Sequence, residues 1–317
     1  MLQWQRHRVL LAGAVALAGC AEIPSDPQTE AKPQFDASVA VSAAAAYVAD
    51  VNAVLAAEGA GYSIDRVEWV MDNGDPEAAN TVFANDRTKQ LTSSWVPDDA
   101  RRQANGYEVT YSVFQPFRIA DGTKNSEPAI DASFATWSSL PCSKLTITKK
   151  TLAGNNFPSA ILGLGGFSNN VFAADIDEIG FLPGSLFNAV LGAGAANSVL
   201  GVTFTFIFGT NTPTGFVPSD VDGDGRTDTA HKEVWYNDAF TWSLTGTGGV
   251  DIETVALHEN GHALELGHFG KVFVGDSNGK LHAAPRAVMN AFILGVLRKP
   301  LGTDKAAYCG NFANWAN

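Results

Sequence analysis

Three histidines and a glutamate are spaced along one short stretch so that they could hold a metal ion. The stretch begins His258-Glu259-Asn260-Gly261-His262 and ends at His268. Residues four apart on a helix project from the same face, so the imidazoles of His258 and His262 can reach a single ion. His268 lies beyond the helix, so the chain must turn back to deliver it. Three protein ligands leave a fourth position open for water, as a hydrolytic zinc site requires.

Glu259 stands beside the first histidine, where its carboxylate can reach a metal-bound water without coordinating the metal. Zinc lowers the pKa of such a water from 15.7 towards about 7. Glu259 is then expected to take the proton as the water attacks a carbonyl, and to pass it to the leaving amine. A helix that carries these histidines by chance is the alternative. Half of the chain's six histidines lie in this window, which favours the zinc site.

The pattern of histidines, followed downstream by Met289 in Ala287-Val288-Met289-Asn290, resembles the metzincin zinc peptidases. Residues 251–257 and 134–138 are similar to the active-site helix and first helix of one metzincin group, the matrixins. The resemblance implies an α+β fold with a twisted, mostly parallel sheet, an active-site helix and a Met-turn at Met289. It also implies that substrate pairs antiparallel to an edge strand, for which residues 202–208 are the candidate.

The sequence departs from the matrixin pattern at three places. Glu265 stands where the family has a glycine, and a non-glycine residue with left-handed backbone costs about 1–2 kcal/mol. Gly267 is therefore expected to take over the chain reversal. No cysteine stands upstream in a position to block the zinc, so latency by a thiolate is not expected. Residue 291 is alanine, so the tyrosine that some metzincins carry after the Met-turn is absent.

A second metal site is predicted in the loop Asp220-Val221-Asp222-Gly223-Asp224-Gly225-Arg226-Thr227-Asp228. Its spacing follows a calcium loop, with carboxylates at positions one, three, five and nine, glycine at six and a backbone carbonyl at seven. The expected ligands are Asp220, Asp222, Asp224, Asp228 and the carbonyl of Arg226. Position twelve is His231 instead of the usual glutamate. A solvated Asp/Gly turn is the alternative, but acids that converge repel each other unless an ion neutralises them.

The N-terminus predicts export. Residues 1–19 combine a short basic segment with an apolar stretch too short to span a bilayer, as in a signal peptide. The sequence Leu17-Ala18-Gly19-Cys20 resembles a bacterial lipobox, so Cys20 is expected to carry lipid, with ordinary signal cleavage as the alternative. Residues 20–36 form the anchor and tether. These features predict a cell-surface or outer-membrane lipoprotein of a bacterium, whose only contact with the membrane is the lipid.

Two further cysteines remain, Cys142 and Cys309. An exported protein meets an oxidising compartment, so a disulfide between them is expected, with two buried free thiols as the alternative.

The elements that must position the site are predicted from periodicity. Residues 37–104 form an N-terminal segment of unknown role, either a pro-segment or a subdomain, and residues 105–317 form the matrixin-like domain. Strands are expected at 63–71, 108–114, 145–149, 176–181, 202–208 and 233–236. Helices are expected at 131–138, at 251–265 and, capped by residues 36–38, up to residue 57. Residues 183–197 are expected to form a loop with one helical turn.

Bulk composition narrows the function. The 317 residues carry a net charge of −12 without any Lys/Arg-rich run, which argues against a nucleic-acid partner. The predicted function is a monomeric, zinc-dependent endopeptidase, with calcium as a second ion, that cleaves extracellular proteins or peptides. The alternatives are a surface-anchored binding protein or adhesin on a catalytically silent metzincin fold, and a hydrolase of non-peptide substrates. His231 and His282 are expected to lie on the surface or in loops.

Overall fold

Helices and strands alternate along the chain in a computed structural model, which describes residues 35–72, 91–104, 106–114, 125–151, 159–163, 172–275, 277–278 and 280–315. The predicted signal peptide, the lipidation site Cys20 and residues 20–34 of the tether lie outside these residues. The described residues belong to one compact unit, Pro33–Asn317.

Five α-helices and one short 3-10 turn, Ala195–Asn197, occur in the described part of the chain. The helices are α1 (Ala37–Ala57), α2 (Glu127–Ser138), α3 (Gly184–Leu191), α4 (Ile252–Ala263) and α5 (Gly302–Phe312).

Thirteen strands are found among the same residues. They are β1 (Tyr62–Asp72), β2 (Ser93–Ser94), β3 (Val109–Val113), β4 (Ile147–Lys150), β5 (Ile176–Leu182), β6 (Val199–Thr212), β7 (Gly215–Pro218), β8 (Thr227–Asn237), β9 (Trp242–Ser243), β10 (Val250–Asp251), β11 (Lys271–Val274), β12 (Leu281–Ala284) and β13 (Phe292–Ile293).

The central sheet has the order β13-β1-β6-β8-β5-β3-β4. The β4, β3, β5 and β8 strands pair in parallel, whereas β6 runs antiparallel to both β8 and β1. The prediction of an α+β fold with a mostly parallel sheet is therefore confirmed. The prediction that residues 202–208 form an edge strand is wrong, because β1 covers the side of β6 that would otherwise be free.

The expected boundary between residues 104 and 105 does not separate two units. The N-terminal segment supplies β1 to the central sheet, and its β2 strand pairs with the start of β8, Ser93 opposite Thr227. Residues 37–72 and 91–104 thus belong to the same fold as the three histidines.

The expectation of a loop at residues 183–197 is also wrong, because α3 forms there. Phe187, Val190 and Leu191 have helical spacing and are all buried. They pack in the same apolar cluster as Ala40 and Ala44 of α1. Because the region is rich in glycine and asparagine, its sequence predicted a loop and not a short helix with one apolar face.

The α1 helix begins as its sequence predicts, since the Asp36 carboxylate accepts from the amides of Ser38 and Val39. Gly59 follows its end with a left-handed φ of 74°. Residues 38–57 of α1 are long and apolar enough to cross a membrane by length and composition. In the structure, Ala40, Ala44 and Leu55 of this helix pack in the apolar cluster that it shares with β1 and α3.

Two apolar clusters lie on the central sheet. One gathers residues of α2, α4 and α5, and the other gathers residues of α1, α3 and β6. Trp137 of α2 stacks on Tyr308 of α5 and donates from its indole nitrogen to the carbonyl of Leu257 in α4, at 3.0 Å. A disulfide joins Cys142 to Cys309 across 167 residues. These contacts hold α4 in a fixed position under the sheet.

Candidate metal centre

The first two histidines, His258 and His262, lie on the buried helix α4. Asp251 caps it by accepting from the amide of Thr254 at 3.0 Å, which satisfies one of the free donors of the first turn. Arg298 pairs with the same carboxylate. Apart from the partly exposed Glu253, its described residues are buried, so the helix is fixed along its whole length.

The three histidines converge through their Nε2 atoms. The distance from His258 Nε2 is 3.0 Å to His262 Nε2 and 3.2 Å to His268 Nε2, and the last two are 3.1 Å apart. His258 and His262 are fully buried, whereas His268 is partly exposed. The three histidines thus lie together, as their spacing in the sequence predicts.

The outer nitrogens of the first two rings are held by backbone carbonyls. His258 Nδ1 donates to the carbonyl of Val288 at 2.7 Å, and His262 Nδ1 donates to the carbonyl of Leu266 at 2.8 Å. This protonation leaves each Nε2 with a free lone pair. Burial lowers the pKa of His258 to about 4 and that of His262 well below its usual value. Both rings are therefore neutral at pH 7, the form that binds metals.

The turn between the second and third histidines depends on Glu265. Its φ is 62°, so Glu265 itself adopts the left-handed conformation, and the expectation that Gly267 makes the reversal is wrong. The Leu266 amide donates to the carbonyl of Gly261 at 2.9 Å, and the Glu265 amide donates to that of His262 at 3.0 Å. These two bonds define a Schellman motif with glutamate at the position where glycine is usual.

Buried partners explain why a glutamate is accepted in this turn. The Glu265 carboxylate pairs with Lys232 of β8 at 2.9 Å and with Arg66 of β1 at 3.2 Å. It also accepts from the hydroxyls of Ser93 and Thr229. Burial by itself raises the pKa of Glu265, but the two cations and these bonds hold it below its usual value. The carboxylate is thus charged and fixes the turn to the sheet.

Lys232 links this network to the metal site directly. Its buried ammonium donates to the carbonyl of His262 at 3.1 Å and to the Thr205 hydroxyl at 2.9 Å, in addition to Glu265. The sequence did not indicate this role of Lys232. Every residue from Asp228 to Asn237 in β8 is buried, so the strand shows no alternation that would tell a buried position from an exposed one.

Met289, the predicted Met-turn residue, packs against the helix that carries the first two histidines. A Cβ on Gly261 would collide with the Met289 sulfur, so the glycine lets this side chain approach α4 closely. The amides of Val288 and Met289 donate to the buried Asp304 carboxylate, at 2.9 and 3.1 Å. Asp304 belongs to α5, so the turn that holds His258 Nδ1 is anchored by the helix that carries Cys309.

Glu259 is fully buried and lies against β6 and β1. Its Oε2 accepts from the Thr203 hydroxyl at 2.6 Å, and its Oε1 has no hydrogen-bond partner in the described part of the chain. A Cβ on Gly201 would lie 2.8 Å from Oε1, so this glycine makes room for the carboxylate. Burial raises the pKa of Glu259 well above its usual value, against the effect of Thr203.

No family model and no curated protein matches this chain. The function must therefore be argued from the site itself.

The acidic loop brings together three of its five expected ligands. Carboxylate oxygens of Asp220, Asp222 and Asp224 lie within 4.8 Å of one another and are exposed. Asp228 is instead buried and pairs with Arg101 at 2.7 Å. The amide of Arg226 donates to the Asp224 carboxylate at 2.8 Å, which tightens the loop.

His231 is fully buried, so the expectation of a surface or loop position is wrong for it. Its Nε2 lies 3.9 Å from Asp177 and 3.7 Å from Glu233, and its ring stacks on Phe172 at 3.6 Å. His282 is partly exposed and its Nε2 lies 3.2 Å from the side-chain oxygen of Asn278. Neither histidine joins the cluster of three.

Proposed function

We propose that the chain is a zinc-dependent endopeptidase that hydrolyses peptide bonds of extracellular proteins. The observation that carries this proposal is the meeting of three neutral imidazoles at one point, with Nε2 atoms 3.0–3.2 Å apart. Export through residues 1–19, a lipid on Cys20 and a monomeric state belong to the same proposal. Among known families, the metzincins and their matrixin group are the ones that the motif resembles.

The donor set fits zinc. Zinc with nitrogen ligands at 2.0–2.1 Å and tetrahedral angles separates those nitrogens by about 3.3 Å, close to the distances between the Nε2 atoms here. Three imidazoles whose lone pairs face one another cannot all satisfy each other by hydrogen bonds, so a cation between them removes a repulsion. The Val288 and Leu266 carbonyls accept from the outer ring nitrogens of His258 and His262, a contact that zinc-binding histidines usually make.

Zinc at this position supplies a Lewis acid that activates water and polarises a substrate carbonyl. Glu259, next to His258 on the same helix, is the base in this proposal. Burial raises its pKa, which favours a group that can hold the proton it has accepted before passing it on. The Thr203 hydroxyl holds Oε2, which leaves Oε1 to exchange the proton.

Metal removal tests the proposal. The purified protein is expected to contain one zinc per chain and to hydrolyse casein, and a zinc chelator should abolish hydrolysis reversibly. Replacement of His268 with alanine should lower the zinc content and the activity together. His282→Ala is the matched control, since His282 lies outside the cluster and should leave both unchanged. Casein hydrolysis that survives complete removal of zinc would contradict the proposal.

Calcium is proposed as the second ion, bound by Asp220, Asp222 and Asp224. Burial and the neighbouring aspartates raise the pKa of Asp222, so the cluster gains from a cation. Calcium at about 100 times its dissociation constant should stabilise the fold by about 2.7 kcal/mol, measured as a rise in melting temperature. Asp222→Asn should remove most of that rise, whereas Asp50→Asn on the exposed face of α1 should not. A rise of equal size in both variants would exclude this loop as the site.

A second candidate function is a metal-binding surface protein that does not hydrolyse its partner. It is favoured by the full burial of Glu259 beneath β1, which closes the proposed base off from solvent. If the protein and every variant described below contain zinc and none of them hydrolyses a peptide, that result supports this candidate over the peptidase.

A further inference from the structure

The strand β1 fills the space between β6 and the segment that follows Met289. It pairs antiparallel with β6 along its whole length, from Tyr62 opposite Phe208 to Met71 opposite Val199. Its end pairs in parallel with β13, where the Met71 amide donates to the carbonyl of Ala291 at 3.0 Å. Ten residues of extended backbone are thus held by β6, and the end of the strand, at Met71 and Asp72, is also held by β13.

The same end of β1 closes the pocket of Glu259. Val70 lies opposite Gly201, the glycine that makes room for the carboxylate, and Glu68 lies opposite Thr203, which holds Oε2. A base that acts on a substrate must reach the reacting atoms, and here the strand that carries Val70 covers the residues against which the carboxylate packs.

We propose that the groove between β6 and β13 is the binding site for the backbone of a polypeptide substrate, and that β1 occupies this site as an internal competitor. An extended peptide binds an exposed strand by adding to the sheet, with its main-chain groups supplying the bonds. Displacement of β1 gives a substrate the same bonds to β6 and β13 and opens Glu259. This inference rests on the proposed peptidase function.

The side chains of β1 indicate what the groove accepts. Val70 is fully buried and packs in the apolar cluster that contains Met289 and Leu200. When β1 leaves, this apolar socket beside Glu259 becomes free. The substrate class is therefore an extended polypeptide segment with an aliphatic side chain at the position of Val70.

The contacts that hold β1 in place can break without leaving a buried charge unpaired. Arg66 pairs with Glu265, and the Asn52 side chain of α1 bonds both backbone groups of Ile64, at 2.7 and 2.8 Å. Lys232 stays on Glu265 when Arg66 departs, so the carboxylate in the metal turn remains paired. The α1 helix and β1 are thus expected to leave as one arm.

A reversible cross-strand disulfide tests the inference in the full chain. Trp69 and Val202 lie opposite each other on β1 and β6, so W69C/V202C locks β1 onto β6 when oxidised. The oxidised protein should cleave casein at least about tenfold more slowly than the same protein after reduction. T210C/V217C is the matched control, because it places a disulfide between β6 and β7 and should not change the rate. The unmodified protein under both conditions controls for Cys142–Cys309.

The outcomes separate this inference from the function on which it rests. Equal hydrolysis by the oxidised and reduced W69C/V202C protein would overturn the inference and leave the peptidase intact. If the unmodified chain is silent because β1 holds the groove permanently, Val70→Pro breaks the ladder beside Glu259 and should produce activity, with zinc content as the check on folding. Silence of all variants, including Val70→Pro with zinc bound, would overturn both proposals.

Discussion

Replacing Glu259 with glutamine is expected to lower casein hydrolysis by a factor of about 10² to 10⁴ while the zinc content stays at one per chain. Glutamine keeps the size of the side chain and can still accept from the Thr203 hydroxyl, but it cannot take up a proton. The three imidazoles are unchanged, so metal binding should persist. Rates in the assay for peptide hydrolysis and zinc content by elemental analysis check the two halves of this expectation.

The same substitution should not cost stability. Burial raises the pKa of Glu259 well above its usual value, so the folded state binds this proton more tightly than the unfolded state does. Such a group lowers stability as the pH rises from the unfolded pKa through the folded one. E259Q removes that penalty, and its melting temperature at neutral pH should equal or exceed that of the unmodified protein. A loss of activity without a loss of stability points to chemistry instead of misfolding.

Glu178→Gln is the matched control for this experiment. Glu178 is also a fully buried glutamate, whose pKa burial raises to about 8, but it lies on β5 and bonds Tyr236 at 2.8 Å. The control should show a similar gain in stability and keep most of the hydrolytic rate. Equal activity of E259Q and the unmodified enzyme would remove Glu259 from its assigned role, whatever the zinc content.

The meeting of the three histidines could be predicted from sequence because it depends on local geometry. His258 and His262 lie one helical turn apart, and Asp251 marks the start of their helix through the cap that it provides. The same kind of local pattern predicted six of the thirteen strands in the described part of the chain, β1, β3, β4, β5, β6 and β8, but not the seven others, which have two to four residues each. The α1 helix was recognised from Asp36 at its start and Gly59 beyond its end.

The position of β1 could not be predicted in this way. Its pairing with β6 joins parts of the chain that are far apart in sequence, and a strand's pattern does not say which neighbour it will have. Without that pairing, residues 202–208 were expected to form a free edge. The buried His231 was misjudged for a related reason, because alternation carries no signal in a strand that is covered on both faces.

Glu265 shows most clearly how a departure from a family pattern can mislead. Taken alone, a glutamate in a left-handed turn looks like a defect of about 1–2 kcal/mol, which restoring the family glycine should repair. The partners that compensate for it, Arg66 and Lys232, lie on two different strands and could not be identified from local sequence. The structure therefore reverses the expected sign of that substitution.

Glu265→Gly is expected to destabilise the fold by about 1–4 kcal/mol. The glycine relieves backbone strain of about 1–2 kcal/mol, but the loss of one partner from a buried ion pair costs about 3–5 kcal/mol. The fully buried Lys232 then lacks its carboxylate next to the carbonyl of His262. Denaturant unfolding of the zinc-free proteins at pH 7 measures the difference, and a zinc titration should show weaker binding as well, since this turn delivers His268.

A double variant separates the effect of the lost ion pair from the effect of the backbone strain at residue 265. Adding Lys232→Met to Glu265→Gly removes the unpaired ammonium, so the double variant should recover part of the lost stability even though it carries one more change.

The pH dependence of stability gives a second check on the charge of Glu265. The pKa of Glu265 is held below its usual value, so the stability that its carboxylate contributes is complete above the unfolded pKa and is lost as the pH falls through the folded one. The gap between the unmodified protein and E265G should therefore narrow in acid. A glycine variant that is more stable than the unmodified protein at pH 7 would mean that strain outweighs the buried ion pairs.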